Sequence, residues 1–257
     1  MTLLAEAMIP TKDRIPVSDL GRVPGALVTV STDPPPSAST ASAPPSSIVA
    51  PEPKPAAGWR AGAKRLIDIV GAAAGLALLV PLTLALAVLV MLDSPGPALF
   101  VQERIGKDGR TFRMFKFRTM VRDAPQMLSE LRTSNEADGP LFKIARDPRI
   151  TRVGRVLRRA SLDELPQLWN VLRGDMSLVG PRPALPGEAA GWTPELYQRL
   201  RVKPGLTGMW QVNGRSSVSF DEYVRLDLYY VNNWSIATDL AILAKTLPAV
   251  LSGRGAS

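Results

Sequence analysis

The 257-residue chain contains no cysteine and no histidine. Together these absences remove disulfides, thiol nucleophiles, zinc sites and imidazole acid–base chemistry. Any catalysis must fall to Asp, Glu, Lys, Ser, Thr or Tyr. A metal, if one is used, should be a hard cation held by oxygen ligands, which points to Mg²⁺ or a relative. Acidic residues are in the minority: 31 Lys and Arg stand against 23 Asp and Glu, a formal charge of +8. Such a balance calls for an anionic partner, whether nucleic acid, nucleotide, phospholipid surface or another phosphate. The apolar content of 46% supports a sizeable core, and the length suits one ordinary domain of ~100–200 residues with appendages.

The first 58 residues hold 11 of the 24 prolines, including Pro34-Pro35-Pro36, with Ser, Thr and Ala between them. They cannot bury enough apolar surface to fold and are expected to form a disordered tail. The opening MTLLAEAMIPTKD lacks the basic start, apolar run and small-residue cleavage site of a secretory signal, so the tail is expected in the cytoplasm.

Ile69 to Leu92 is a run of 24 residues without a charge, long enough for the ~20 residues that cross a hydrocarbon core. Two features argue against a simple crossing. Pro81 lies at its middle, where a missing N–H and a ring clash kink or break a helix. Both flanks are also basic, with Lys54, Arg60, Lys64 and Arg65 before the run and Arg104, Lys107, Arg110, Arg113, Lys116 and Arg118 after it. By the positive-inside rule, both ends then belong on the cytoplasmic face. A re-entrant helix broken at Pro81 satisfies both facts if its freed backbone groups find partners. A single span with a tolerated proline is the competing reading.

After Asp93-Ser94-Pro95-Gly96-Pro97, the stretches ALFVQERIG and RTFRMFKFRTM flank Lys107-Asp108-Gly109 and predict a β-hairpin. Helices are predicted near 124–132, 153–159, 162–173, 194–202, 220–231 and 236–251. Thr193 and Ser219 are start signals, and Gly174 and Gly253 are stops. The last helix could lie in the membrane interface or pack as an ordinary core helix.

The densest chemistry lies in RVGRVLRRASLDELPQLWNVLRGDMSLVGPRP, residues 152–183. Ser161 and Glu164 fit a capping box, although Pro166 leaves open a helix that begins nearer Leu165. Either register puts Asp163 and Glu164 at a helix N-terminus, which favours ionised carboxylates and bound phosphate. Between Lys143 and Arg173 eight basic residues stand against three acidic ones, a field suited to a diphosphate or to anionic headgroups. In such a field Asp163 can act as a nucleophile, and Glu164 can hold Mg²⁺. Pro181-Arg182-Pro183 restricts the backbone around a guanidinium, which suits a phosphate clamp or a plain rigid turn. Along a strand, Lys116 and Arg118 should share one face, with Phe115 and Phe117 on the other, so both cations are candidate contacts for a substrate phosphate. This interleaving could also suggest single-stranded nucleic acid. The membrane run argues against that, and no nucleic-acid partner is expected.

The stretch SLDELPQLWNVLRGDMSLVGPRP, with KFRTM before it and RVKPGLTGMWQVNGR after it, resembles the bacterial sugar transferase family, the monotopic phosphoglycosyl transferases. The resemblance runs from about Lys64 to Thr246. It implies a ping-pong reaction in which Asp163 attacks the β-phosphate of a UDP-sugar and releases UMP. Polyprenol phosphate, expected as undecaprenyl phosphate, then takes the hexose 1-phosphate from the enzyme. It further implies Glu164 as the magnesium-associated residue, with Asp163 beside it, and Lys116, Arg158 and Arg182 near the phosphates. The WQVNGR motif resembles that of members acting on glucose or galactose; its plainer reading is a Gly208 turn, a short strand and an Asn213-Gly214 turn. Some members carry Ser before the helix-breaking proline where this chain has Val80, so a side-chain bridge across the break is expected to be missing. The tail leaves no room for the additional helices of long members, so the short form is expected.

The expected fold is mainly α with a small β-hairpin, an α+β arrangement: a disordered tail (1–58), a re-entrant membrane helix broken at Pro81 (59–97), and a cytoplasmic sugar-phosphate transferase domain with interfacial amphipathic helices (98–257). The expected location is the bacterial inner membrane, in contact with its lipid. Homo-oligomerisation is left open. A non-enzymatic membrane-surface module and a phosphatase using water as acceptor are the competing functions. The re-entrant topology is tested by single cysteines introduced at Ala61 and Ala98: both are expected to be labelled from the cytoplasmic side in intact cells. Labelling from opposite sides would refute it.

Overall fold

The computed structural model describes residues 58–131, 144, 146–214 and 219–252, without the side chains of 129, 247, 251 and 252. The expected tail up to residue 57, together with Lys143, Arg215 and Gly253, lies outside the described residues.

Helix α1 (Gly58–Asp93) is one helical segment of 36 residues with Pro81 inside it. At 1.5 Å per residue it is about 54 Å long, against about 30 Å for a hydrocarbon core. It is the one helix among the described residues that is long and apolar enough to cross a membrane. The helical run continues through Pro81, so α1 is not divided into two separate helices there. A proline deletes one ladder bond and its ring presses on the carbonyl four residues back, which bends a helix without having to end it. The Thr83 hydroxyl donates to the Val80 carbonyl at 2.8 Å. A side-chain bridge thus exists beside the proline even with Val at 80.

Both ends of α1 dock on the rest of the protein. Near its start, Asp68 Oδ1 accepts from Ser177 Oγ and from the Leu178 backbone N–H, both at 2.9 Å. Ala72 packs into a cluster with Met114, Leu168, Val171 and Met176. Gly71 and Gly75 make this approach close enough that an added Cβ would press on Leu178 or Leu168. Near its end, Leu86 and Val90 pack with Phe117 and Leu157, and Asp93 Oδ2 accepts from Val153 N at 3.0 Å. Between the two anchors the helix is bare, with Leu78 80% and Leu84 64% exposed.

The predicted hairpin is present. Strands β1 (Leu99–Ile105) and β2 (Thr111–Phe117) pair antiparallel from Leu99↔Phe117 to Ile105↔Thr111. Asp108 and Gly109 both take positive φ in the turn, 57° and 76°, as an Asp-Gly hairpin turn requires.

The remaining helices are α2 (Ala124–Leu131), α3 (Arg152–Arg159), α4 (Gln167–Arg173), α5 (Pro186–Ala189), α6 (Met209–Val212), α7 (Phe220–Asn232) and α8 (Ile236–Ser252). Thr151 caps α3 by accepting from Gly154 N at 2.9 Å, and Ser219 caps α7. The helix expected over 162–173 is split into a 3-10 turn, Leu162–Glu164, and α4. Pro166 cannot donate to a carbonyl four residues back, so the regular ladder starts only after it. The segment expected as a helix over 194–202 is a 3-10 stretch, Leu196–Arg201. Sequence periodicity gives no sign of the parallel pair β3 (Ser177–Val179) and β4 (Gly205–Thr207), because three residues are too few to show a period.

Helix α8 packs on its neighbours through buried Asp239 and Ile242. Asp239 receives Lys64 Nζ at 2.7 Å, the Tyr230 hydroxyl at 2.7 Å and Trp234 Nε1 at 3.0 Å. Leu240 is on its exposed side.

Asn170 on α4 joins that helix to the hairpin. Its Oδ1 accepts from Phe115 N at 3.1 Å and its Nδ2 donates to Arg113 O at 2.7 Å, with the residue fully buried. Asn170→Ala leaves two strand groups without partners, and the expected cost is about 1–3 kcal/mol. It is measured as a lower unfolding midpoint of the detergent-solubilised protein.

Candidate active site

The Asp163-Glu164 pair lies in the 3-10 turn between α3 and α4. The preceding Ser161 adopts a left-handed conformation, φ 54°, and its side chain makes no capping bond. The expected capping box is therefore absent. A left-handed N-cap points the side chain away from the first turn, and Glu164 is drawn elsewhere: Lys116 Nζ lies 3.0 Å from Glu164 Oε1. Backbone strain of this kind at a non-glycine residue costs energy and collects at functional sites.

Asp163 is 8% exposed. Burial pushes its carboxyl above the ordinary carboxylate range; Glu164 pushes in the same direction, while Lys116 and Arg158 offset part of the shift. Two carboxylates and two cations therefore meet here, as the sequence led us to expect for these four residues. Arg158 is delivered from the last turn of α3, with its Nε donating to Thr119 Oγ1 at 2.9 Å. Thr119 sits in the KFRTM motif but escaped the sequence reading as a site residue. A Cβ at Gly154 would collide with the Thr119 carbonyl, so the close approach of α3 to this segment depends on that glycine.

Arg182 comes from the loop after β3, and Glu164 is among the charges acting on it. Its Nη1 is buried without a hydrogen-bond partner among the described residues, and Glu188 Oε1 stands 3.6 Å away. Burial works against its charge, but Tyr223 and Glu188 outweigh that and raise its pKa. Glu188 is itself fixed, accepting from Leu185 N at 3.0 Å. Behind the loop, Arg199 donates to the Arg182 carbonyl at 3.1 Å and to Asp227 at 3.0 Å, and also contacts the Tyr223 hydroxyl. Glu188, Arg199, Tyr223 and Asp227 carry no local motif; only folding brings them behind Arg182.

Arg118 does not join this group. The strand ends at Phe117, so the alternation that would have aligned Arg118 with Lys116 no longer holds. The guanidinium donates to Pro95 O at 2.7 Å and Gly96 O at 3.3 Å, and also to Ser94 O. It closes the turn after α1, and its expected phosphate contact is corrected to a structural one. Arg149, another member of the basic field, is closed on Asp147 through contacts of 2.6 to 3.2 Å. In the WQVNGR motif, Trp210-Gln211-Val212 form part of the short helix α6, where a strand was the plainer expectation; the strand lies just upstream, as β4.

Among the described residues no three acidic side chains cluster to make a metal cage. Mg²⁺ commonly binds through one or two carboxylates plus phosphate oxygens, so the donor set of Asp163 and Glu164 fits that cation if a phosphate substrate completes it.

The raised pKa of Asp163 has a consequence for stability. The folded protein binds this proton more tightly than the unfolded chain, so stability declines as pH rises from the ordinary carboxylate pKa through the raised one. Asp163→Asn is expected to unfold at a higher temperature than the parent at pH 7. The difference should vanish in acid, where Asp163 is protonated in both states. Thermal scans of the two proteins across pH check this.

Several known proteins are similar to this chain. The chain is 47% identical over 195 residues to the galactosyl transferase CpsE of Streptococcus agalactiae serotype III, an alignment covering 76% of this chain and 43% of that protein. It is 46% identical over 200 residues to the undecaprenyl-phosphate galactose phosphotransferase of Salmonella typhimurium, covering 75% and 41%. It is 44% identical over 197 residues to the exopolysaccharide production protein ExoY of Rhizobium meliloti, covering 75% and 87%. The chain thus spans less than half the length of the first two relatives and most of the third. Residues 59–253, which include all of α1 but its first residue and every site residue above, match the bacterial sugar transferase family, and the chain belongs to that family.

Proposed function

We propose that this protein transfers a hexose 1-phosphate from a UDP-sugar, with glucose or galactose favoured, to undecaprenyl phosphate in an early membrane step of exopolysaccharide or related glycan synthesis. The observation that carries this reading is the buried Asp163 carboxylate between the cations Lys116 and Arg158. Relatives named for galactose and glucose transfer to undecaprenyl phosphate support the substrate class.

In the first half-reaction an Asp163 oxygen forms a bond to the β-phosphorus of the UDP-sugar. The bond from that phosphorus to the bridging oxygen breaks, and UMP leaves with the electron pair. In the second, an oxygen of undecaprenyl phosphate attacks the same phosphorus and the bond to Asp163 breaks. The products are undecaprenyl diphosphate sugar and a regenerated carboxylate. Burial makes the Asp163 anion costly in the free protein, which favours its consumption in a covalent bond. Lys116, Arg158 and Arg182 neutralise charge on the phosphate oxygens. Asp163 and Glu164 would hold Mg²⁺, which when bound supplies further neutralisation of the diphosphate.

The membrane arrangement is part of the same proposal. Asp68 and Asp93 tie the two ends of α1 to one body while the apolar middle around Pro81 is exposed. This supports a re-entrant helix with the catalytic domain on the cytoplasmic face of the inner membrane. A lipid phosphate held in that membrane then meets a site that lies beside the helix.

Purified protein supplied with Mg²⁺ and the correct UDP-hexose is expected to release UMP and, without lipid acceptor, to stall after one sugar phosphate per enzyme. Asp163→Asn should release none, Lys116→Met should lower kcat by about 10²-fold, and a chelator should abolish turnover. Continued turnover without lipid would instead identify a hydrolase, and UMP release by Asp163→Asn would remove Asp163 as the nucleophile.

A further inference from the structure

At the end of the hairpin remote from Glu164 lies a cavity of about 290 Å³ lined by Lys107, Arg110, Phe112, Gly174, Asp175 and Lys203, with Asp108 at its rim. From Lys116 to Thr111, β2 covers roughly 17 Å, so this cavity is separate from the Asp163 site. Two cations meet at Gly174 in its wall, Lys203 from the lining and Arg65 next to it: a Cβ added to Gly174 would lie 3.3 Å from Lys203 Nζ and 3.4 Å from Arg65 Nη2. Arg65 is held there by donating to Val171 O and Leu172 O, both at 2.7 Å. Lys107 and Arg110 line it from the exposed hairpin turn.

The resident acids do not neutralise this group. Among the described residues no carboxylate forms an ion pair with Lys107, Arg110 or Lys203. Asp175 is engaged by Arg173 at 3.5 Å and by Asn170 Nδ2 at 3.3 Å, and Asp108 is exposed in the turn. Burial lowers the Lys203 pKa, and Arg65 and Lys107 lower it further, against weaker opposition from Asp68 and Asp175. A partly buried ammonium facing uncompensated cations is stabilised by an anion.

The position of the cavity indicates which anion. Arg65 lies four residues before Ile69, where the 24-residue uncharged run of α1 begins. The cavity therefore sits where α1 passes from charged to apolar sequence, the level of lipid headgroups. We propose that it binds the phosphate of an anionic phospholipid headgroup and so fixes the domain against the membrane at the start of α1, away from the reacting site. This rests on the membrane placement proposed above, but not on the transfer reaction.

The full-length protein in detergent is acylated with an amine-reactive reagent below the Lys203 pKa, and modification of Lys203 is followed by mass spectrometry in mixed micelles. Phosphatidylglycerol is expected to raise the Lys203 pKa by about 1 and slow its acylation about tenfold, and phosphatidylcholine to leave it unchanged. Lys107→Gln combined with Arg110→Gln changes only the exposed turn; it should remove most of the protection while leaving UMP release from UDP-hexose intact. The proposal is overturned by equal protection from phosphatidylcholine or by no protection at all. Protection by inorganic phosphate without protection by phosphatidylglycerol, or protection that survives the double substitution, also overturns it. Because the readout is Lys203 itself, failure of the transferase reading leaves this result unaffected, and the reverse also holds.

Discussion

Two aspartates, one near each end of a long apolar helix, hold this protein together. Asp68 accepts from Ser177 and Leu178 at the head of β3, and Asp93 accepts from Val153 in the first turn of α3. Each carboxylate satisfies backbone donors that would otherwise be stranded beside an apolar helix, where an unpaired polar group is expensive. The consequences propagate. With Val153 held by Asp93 and Gly154 by Thr151, the start of α3 is fixed, and its last turn then carries Arg158 to Thr119 and Asp163. With β3 fixed on Asp68, the loop that follows carries Arg182 to the same site.

The electrostatics of the site follow from this framework. A carboxylate as buried as Asp163 is disfavoured as an anion, and Lys116 and Arg158 offset only part of the cost. The protein thus keeps a carboxyl group in an unfavourable setting, near a residue, Ser161, whose backbone is also strained. Such a site is held in place by its surroundings: Asn170 locks α4 to β2, and the Arg199–Asp227 pair supports the loop of Arg182 from behind. Stability is given up locally and recovered in the buried network around it.

Much of the architecture was legible in the chain because its signals are local. The uncharged run of α1, the Asp-Gly turn of the hairpin, the Ser219 start and the Gly174 stop all act over a few residues. The errors arose where distant contacts prevail. Arg118 looked like a partner of Lys116 because a strand alternates, yet the strand ends one residue earlier and three carbonyls at the end of α1 claim its guanidinium. Ser161 and Glu164 have the spacing of a capping box, yet Lys116, 48 residues away, takes the glutamate.

The absence of histidine and cysteine, the basic excess, the membrane-length helix and the pairing of Asp163 with Glu164 are properties of the amino-acid order, since each depends on residue type or on spacing within a turn or two. Which of the many cations face the carboxylates could not be read that way. Eight basic residues fall between Lys143 and Arg173, and a Coulomb field depends on distance in space. Folding turned Arg149 onto Asp147 and Arg118 onto a turn, and gathered Lys116 and Arg158 around Asp163. It also brought Lys203 beside Arg65, from the far side of the sequence, because α1 and the loop before β4 both pack against the end of α4.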